Sequence, residues 1–172
     1  MTIAVAPPAK HSAYPSGALA LVLAVGAILG ALALEHIGGI KPCHLCLQQR
    51  YAYYAGAPIL FAALVLLLAG QRRAAALLFV LTALAFLANA GLGAYHAGVE
   101  WQLWPGPASC TGAEALTTSA GDLLGALATT HVVRCDEAAF RVFGVSLAGW
   151  NVAASLLIVA LSVRAASRSV RA

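Results

Sequence analysis

The sequence predicts an all-α membrane protein, a four-transmembrane-helix bundle with a long extramembrane loop between helices three and four. Three observations predict it. Of 172 residues, 62% are hydrophobic and 9% charged, against about 25% charged in an ordinary soluble domain. The apolar residues gather into four runs of roughly 20, the length that crosses about 30 Å of hydrocarbon. A helix satisfies its own backbone hydrogen bonds in lipid, and these runs are too long for barrel strands of about 9–11 residues. No linker or repeat divides the chain, so residues 1–172 are expected to form a single membrane domain.

The spans are expected at about 17–37, 47–68, 74–95 and 145–163, with outer loops at about 38–46 and 97–144. The first run is longer than a secretory h-region and has no small-residue cleavage site before Pro42, so it is expected to be a permanent span. Its Gly26 and Gly30 form a GxxxG, read as a helix-packing seam. The connection between spans two and three carries Arg72 and Arg73. With Lys10 and the tail residues Arg164, Arg168 and Arg171 they place six cations on one side. Lys41, Arg50, Arg134 and Arg141 lie on the other, three of them in the long loop or at a membrane boundary, where such charges count less. Both termini are therefore expected on the cytoplasmic side. The net charge of +4 follows from this topology and gives no support for nucleic-acid binding.

Four cysteines, at 43, 46, 110 and 135, all fall in the outer segments. An even number of thiols in an exported compartment points to disulfides. Pairing 43 with 46 and 110 with 135 is the simplest of three possible arrangements. A staple suits Cys110 and Cys135, which lie 25 positions apart in a loop with little core of its own. It suits Cys43 and Cys46 poorly, because a four-residue ring removes little unfolded-chain entropy. Close CxxC pairs are instead typical of redox motifs and metal sites.

Pro42 disfavours helix just before the motif, and Leu47 opens the second span. Cys46 then lies near a helix N-terminus, where unpaired N–H groups and the dipole stabilise a thiolate. Arg50 follows Cys46 by four positions and Cys43 by seven, hence on one helix face. A cation at the hydrocarbon edge is costly and calls for a partner or a function; the plain alternative is an arginine snorkelling to the interface. Beside a CxxC, Arg50 suits a carbonyl-bearing ligand that arrives through lipid. A quinone accepts the two electrons and two protons that a closing dithiol releases.

The outer loop opens with Trp101 and Trp104, which suit a membrane-interface belt. Pro105-Gly106-Pro107 then shapes a turn ahead of Cys110. Residues 121–130 carry Leu123, Leu124 and Leu127, the pattern of a short amphipathic helix lying on the membrane. His96, at the outer end of span three, is a candidate to line the quinone pocket near Arg50; the alternative is an ordinary interface histidine. His44, between the two cysteines, is a candidate to tune their potential as His⁺, and no role is read for His131. No metal site is expected from spacing: there is no second CxxC, no HxxxH and no CxxCH.

The chain resembles the DsbB family, the bacterial membrane thiol–quinone oxidoreductases. The resemblance is carried by Lys41-Pro42-Cys43-His44-Leu45-Cys46 with Gln49-Arg50, by Trp104-Pro105-Gly106-Pro107 ahead of Cys110, and by Cys135-Asp136-Glu137 leading to Phe143-Gly144. It implies an enzyme of the bacterial inner membrane with its cysteines facing the periplasm. Cys43 and Cys46 would be the quinone-coupled pair, Cys46 being the thiolate facing ubiquinone or menaquinone, and Arg50 the quinone-associated arginine. Cys110 and Cys135 would reoxidise a DsbA-like periplasmic thioredoxin-fold partner, with Cys110 forming the mixed disulfide. Electrons would run from the partner to Cys110–Cys135, then to Cys43–Cys46, then to quinone. Three other readings remain open: a metal or haem membrane protein, a non-catalytic protein with structural disulfides, and reversed flow as in a vitamin K epoxide reductase-like enzyme.

Overall fold

The computed structural model describes residues 13–107, 110 and 134–171. Lys10, His131 and the amphipathic stretch expected at 121–130 lie outside the described residues. Among the described residues, four helices are long and apolar enough to cross a membrane: α1 (Tyr14–His36), α2 (His44–Leu68), α3 (Arg72–Glu100) and α4 (Leu147–Arg171). A two-stranded hairpin, β1 (Arg141–Val142) and β2 (Val145–Ser146), leads into α4.

Each boundary has a local cause. Pro15 lies in the first turn of α1, where its missing N–H is not needed. Gly70 (φ +77°) ends α2 in the left-handed region, and the Gln71 amide returns to the Leu66 carbonyl. Arg72 and Arg73 open α3 at its dipole-positive end, where cations gain nothing from the helix; that fits a topogenic role. Phe143 (φ +51°) and Gly144 (φ +81°) make the two-residue turn of the hairpin.

Two helices run past the ends expected from hydropathy. The run in α3 fades near Tyr95, yet the helix continues to Glu100 because its last turn is buried: His96, Ala97 and Val99 all face protein. The run in α4 fades near Val163, yet Ala165, Ala166 and Ser169 continue a buried stripe that keeps the tail helical. Arg168 and Arg171 then sit in the last turn, where the dipole favours cations.

The helices form a ring in chain order: α3 packs on both α2 and α4, and α1 closes against α2 and α4. Phe79, Phe86, Leu60 and Ile158 fill the centre. Tyr53 meets the edge of Phe86 at 5.0 Å between ring centroids. Where α2 and α4 diverge, the bundle opens into a cleft. The GxxxG expected to pack helices lies on that cleft instead: Cβ atoms at Gly26 and Gly30 would meet nothing within 4 Å. These glycines leave space open instead of bringing a helix close.

Candidate functional site

The site grows from the start of α2. Pro42 holds the chain out of helix, and Cys43 becomes the N-cap (φ −75°, ψ 170°). Its Sγ accepts the backbone N–H of Cys46 at 3.2 Å, taking the place of the usual capping oxygen. The two sulfurs are 2.7 Å apart, and both cysteines are free thiols. The cap bond therefore falls on Cys43, not on Cys46 as position along the helix suggests. The Cys46 thiol holds the Cys43 thiol well below its ordinary value of 9.0, aided by the His96 imidazole and the Cys46 amide; burial opposes them.

Behind Cys43 stands α3. His96 is 2% exposed, with Nε2 3.6 Å from Cys43 Sγ. Its Nδ1 lies 2.9 Å from the side-chain amide of Gln49, and Glu100 Oε1 is 3.9 Å from Nε2. The Glu100 side chain is 5% exposed, and its Oε2 has no hydrogen-bond partner among the described residues.

In front of the pair lies the cleft, about 350 Å³, walled by α1, α2 and α4. Cys46, Gln49, Arg50 and Tyr53 line one side and Gly26, Gly30, Ala31 and Leu34 the other. Leu147, Ala148 and Asn151 of α4 contribute the remaining wall. The lining is mostly apolar with a few polar groups, the usual make-up of a small-molecule site, and the volume is at the lower end of the range for one. Arg50 Nη1 donates to Glu35 Oε2 of α1, and Nη2 to the Ala31 carbonyl at 3.4 Å. The costly cation thus has a partner, yet two of its five N–H donors suffice for these bonds. His96 is not among the cleft-lining residues; it sits on the opposite side of the cysteine pair from Arg50.

Deeper in the bundle, Tyr53 Oη donates to Asn151 Oδ1 at 2.7 Å. Asn89 Nδ2 reaches Asn151 Oδ1 at 3.2 Å and Ser155 Oγ at 3.1 Å. This network ties α2, α3 and α4 together at the foot of the cleft.

The second pair is a disulfide, Cys110–Cys135. Both its cysteines are buried in one cluster with Cys43, Leu45 and Val99, and Cys46 packs against that cluster. The two pairs are thus neighbours. The approach to Cys110 is fixed by Trp104, whose Nε1 donates to the Tyr95 carbonyl at 3.0 Å while its ring stacks on Tyr95. Gly98 permits this: a Cβ there would lie 2.0 Å from the Trp104 ring. On the outer side, Arg134 grips Asp136 through two bonds of 2.6 and 3.0 Å and holds its carboxyl below the usual carboxylate range. A groove lined by Val99, Trp104, Pro105, Gly106, Cys110 and Asp136 runs beside the disulfide.

Comparison with known proteins settles the family. The family model described as Disulfide bond formation protein DsbB matches residues 15–165. The chain is a member of the DsbB family. Disulfide bond formation protein B of Marinobacter nauticus is 31% identical over 82% of this chain and 84% of its own length. The Burkholderia thailandensis protein of the same name is 31% identical over 77% and 76%. Disulfide bond formation protein B 1 of Pseudomonas fluorescens is 28% identical over 88% of each. No solved structure gives a significant match. Membership and the four spans make this DsbB-family chain a disulfide-forming oxidoreductase of the bacterial inner membrane.

Sequence reasoning missed several residues of the site. Glu35, Glu100, Tyr53, Asn89 and Asn151 carry no role in the sequence reading. A polar residue inside an apolar span is itself a signal, and Asn89 and Asn151 give that signal. The linear argument against a metal site also did not reach His96, which α3 brings to within 4.8 Å of both sulfurs.

Proposed function

We propose that this protein reoxidises a DsbA-like periplasmic thiol oxidase and passes the electrons through its two cysteine pairs to a membrane quinone. The observation that supports this best is the packing of both pairs in one cluster, with Cys46 lining an apolar cleft beside Arg50.

The outer disulfide takes the first step. A thiolate of the partner attacks Cys110, the mixed disulfide forms, and Cys135 leaves as thiolate. The partner's second thiolate then releases Cys110 and closes the partner's own disulfide. The Cys110–Cys135 dithiol next exchanges with an oxidised Cys43–Cys46 pair packed beside it. That leaves an outer disulfide and an inner dithiol. Quinone, when bound, supplies a two-electron, two-proton acceptor. The cleft fits an apolar ring with carbonyl oxygens: Arg50 has donors to spare, Gly26 and Gly30 leave room, and Cys46 faces the space. The Cys46 thiol, His96 and the Cys46 amide hold the Cys43 thiol well below its ordinary value, which favours its thiolate when the pair closes. On this proposal both termini lie in the cytoplasm and all four cysteines in the periplasm.

Purified protein given reduced partner should consume quinone, and Cys43→Ser or Cys46→Ser should abolish the activity. Quinone consumption that survives either change removes the inner pair from the pathway. An impermeant thiol reagent applied to intact spheroplasts should reach the reduced outer pair; protection of that pair would reverse the orientation.

A further inference from the structure

Three donors converge at the inner pair, its two sulfurs and one imidazole nitrogen, with a carboxylate oxygen 3.9 Å from that nitrogen. We infer that the reduced pair forms, with His96, a binding site for a thiophilic divalent cation of the Zn²⁺ class, Glu100 being available as fourth ligand. Cys43 Sγ, Cys46 Sγ and His96 Nε2 lie within 4.8 Å of one another. Tetrahedral zinc, with bonds of about 2.3 Å to sulfur and 2.0–2.1 Å to nitrogen, sets sulfur–nitrogen separations of about 3.6 Å. Cys43 Sγ and His96 Nε2 are 3.6 Å apart. The same geometry sets sulfur–sulfur separations of about 3.8 Å, so the sulfurs, now at 2.7 Å, must open by about 1 Å. A change of rotamer at Cys46, which borders the cleft, provides that movement.

Three features beyond the spacing favour occupation. Two thiolates neutralise a divalent cation, so the filled three-ligand site adds no net charge to a buried place. Glu100 has a buried oxygen without a partner, 5% side-chain exposure, and its other oxygen 3.9 Å from Nε2. Gln49 sits on Nδ1, the position of the group that orients a metal-bound histidine. A glutamine can present either NH₂ or C=O by turning its amide. It can therefore serve the Nε2–H tautomer that faces a thiolate and the Nδ1–H tautomer that frees Nε2 for a metal. Sulfur and imidazole together favour Zn²⁺ or Cd²⁺ over Mg²⁺ or Ca²⁺.

Binding releases the protons still held by the two thiols, and it requires both in the reduced state. The site therefore exists in one redox state and vanishes when the disulfide closes. On the proposed function above, a bound cation would hold the enzyme reduced and block transfer to quinone; the binding itself rests on the donors alone.

The test uses full-length protein in detergent micelles carrying Cys110→Ser and Cys135→Ser, so that the inner pair supplies the only thiols. Reduced protein titrated with Co²⁺ should show the visible bands of tetrahedral thiolate coordination at one equivalent, and Zn²⁺ should displace them. The same protein with Cys43–Cys46 oxidised should show none. His96→Gln should weaken binding at least about tenfold, in line with loss of a ligand, with helicity by circular dichroism as the check on folding. Equal binding by reduced and oxidised protein overturns the site, and needs no change at a proposed ligand. Wild-type affinity in a folded His96→Gln variant overturns it too, reducing it to two thiols. In the four-cysteine protein, Zn²⁺ should stop quinone reduction and a chelator should restore it. Quinone reduction without Co²⁺ binding refutes the metal site and leaves the enzyme reading standing; Co²⁺ binding without quinone reduction does the reverse.

Discussion

Replacing Arg50 with alanine tests the cleft most directly. In the structure the Arg50 side chain is 12% exposed at the wall of the cleft, and its guanidinium spends one donor on Glu35 and one on the Ala31 carbonyl. Three of five N–H groups remain. A quinone carbonyl can accept one without breaking the Glu35 pair, so ligand and carboxylate do not compete. A hydrogen bond to a charged donor contributes about 1.5–3 kcal/mol, or roughly 10- to 150-fold in affinity. Arg50→Ala should raise the apparent KM for quinone by about that factor. The KM for the reduced partner should not move, because on the proposed pathway the partner reacts at Cys110, which does not line the cleft. The assay is steady-state quinone reduction with each substrate varied in turn. A rise in quinone KM below about threefold, or an equal rise in both KM values, refutes the assignment; the first is less than about 0.7 kcal/mol and too small for a charged hydrogen bond.

Gly30→Leu should leave the protein folded, since a Cβ at Gly30 meets nothing within 4 Å and leaving glycine favours the helix by up to about 1 kcal/mol. It should nonetheless raise quinone KM about tenfold or more, equivalent to about 1.4 kcal/mol; unchanged kinetics in a stable variant would put the ligand elsewhere. Gly98→Ala drives a methyl into the Trp104 ring, an overpacking cost of about 1–3 kcal/mol. Turnover with partner should fall while direct oxidation of a chemically reduced inner pair by quinone persists, and equal loss of both would contradict a local effect at Cys110. With Cys43 held below its ordinary 9.0, its thiolate fraction should stay nearly constant from about pH 8 to 6, where an unperturbed thiol of pKa about 8.5 loses it nearly tenfold per unit. Alkylation of the reduced inner pair by a small reagent, followed against pH in the Cys110→Ser/Cys135→Ser background, should therefore be flat over that window; a tenfold fall per unit would show no stabilised thiolate.

The spans were legible because length and apolarity are one-dimensional properties, and the cysteine pairs because their spacing and compartment are too. What the sequence hid is rotational. Arg50 and Cys46 turn to the cleft, while Cys43, at the cap, turns inward to His96. His96 and Arg50 were expected together because both lie at the outer end of their spans, but depth does not fix the side of α2 on which a residue stands. The glycines of α1 mislead for the same reason: a GxxxG on the face without a neighbour is empty space, not a seam. The ends of α3 and α4 escaped hydropathy because their last turns are held by protein contacts, which no running average of apolarity records.

The sulfur cap on α2 ties the electrochemistry of the motif to the stability of the fold. Only a sulfur bearing negative charge accepts the Cys46 amide well, so the cap is strong in the dithiol form and weak once the disulfide closes. In a thermodynamic cycle, whatever free energy the fold gains by capping the reduced form must appear in the reduction potential. A helix cap is worth about 0.5–2 kcal/mol, which for a two-electron couple is about 10–40 mV toward a more oxidising pair. The difference in unfolding free energy between the two redox forms would then report, with no electrode, how strongly the first turn of one helix favours the reduced form of its own cysteine pair.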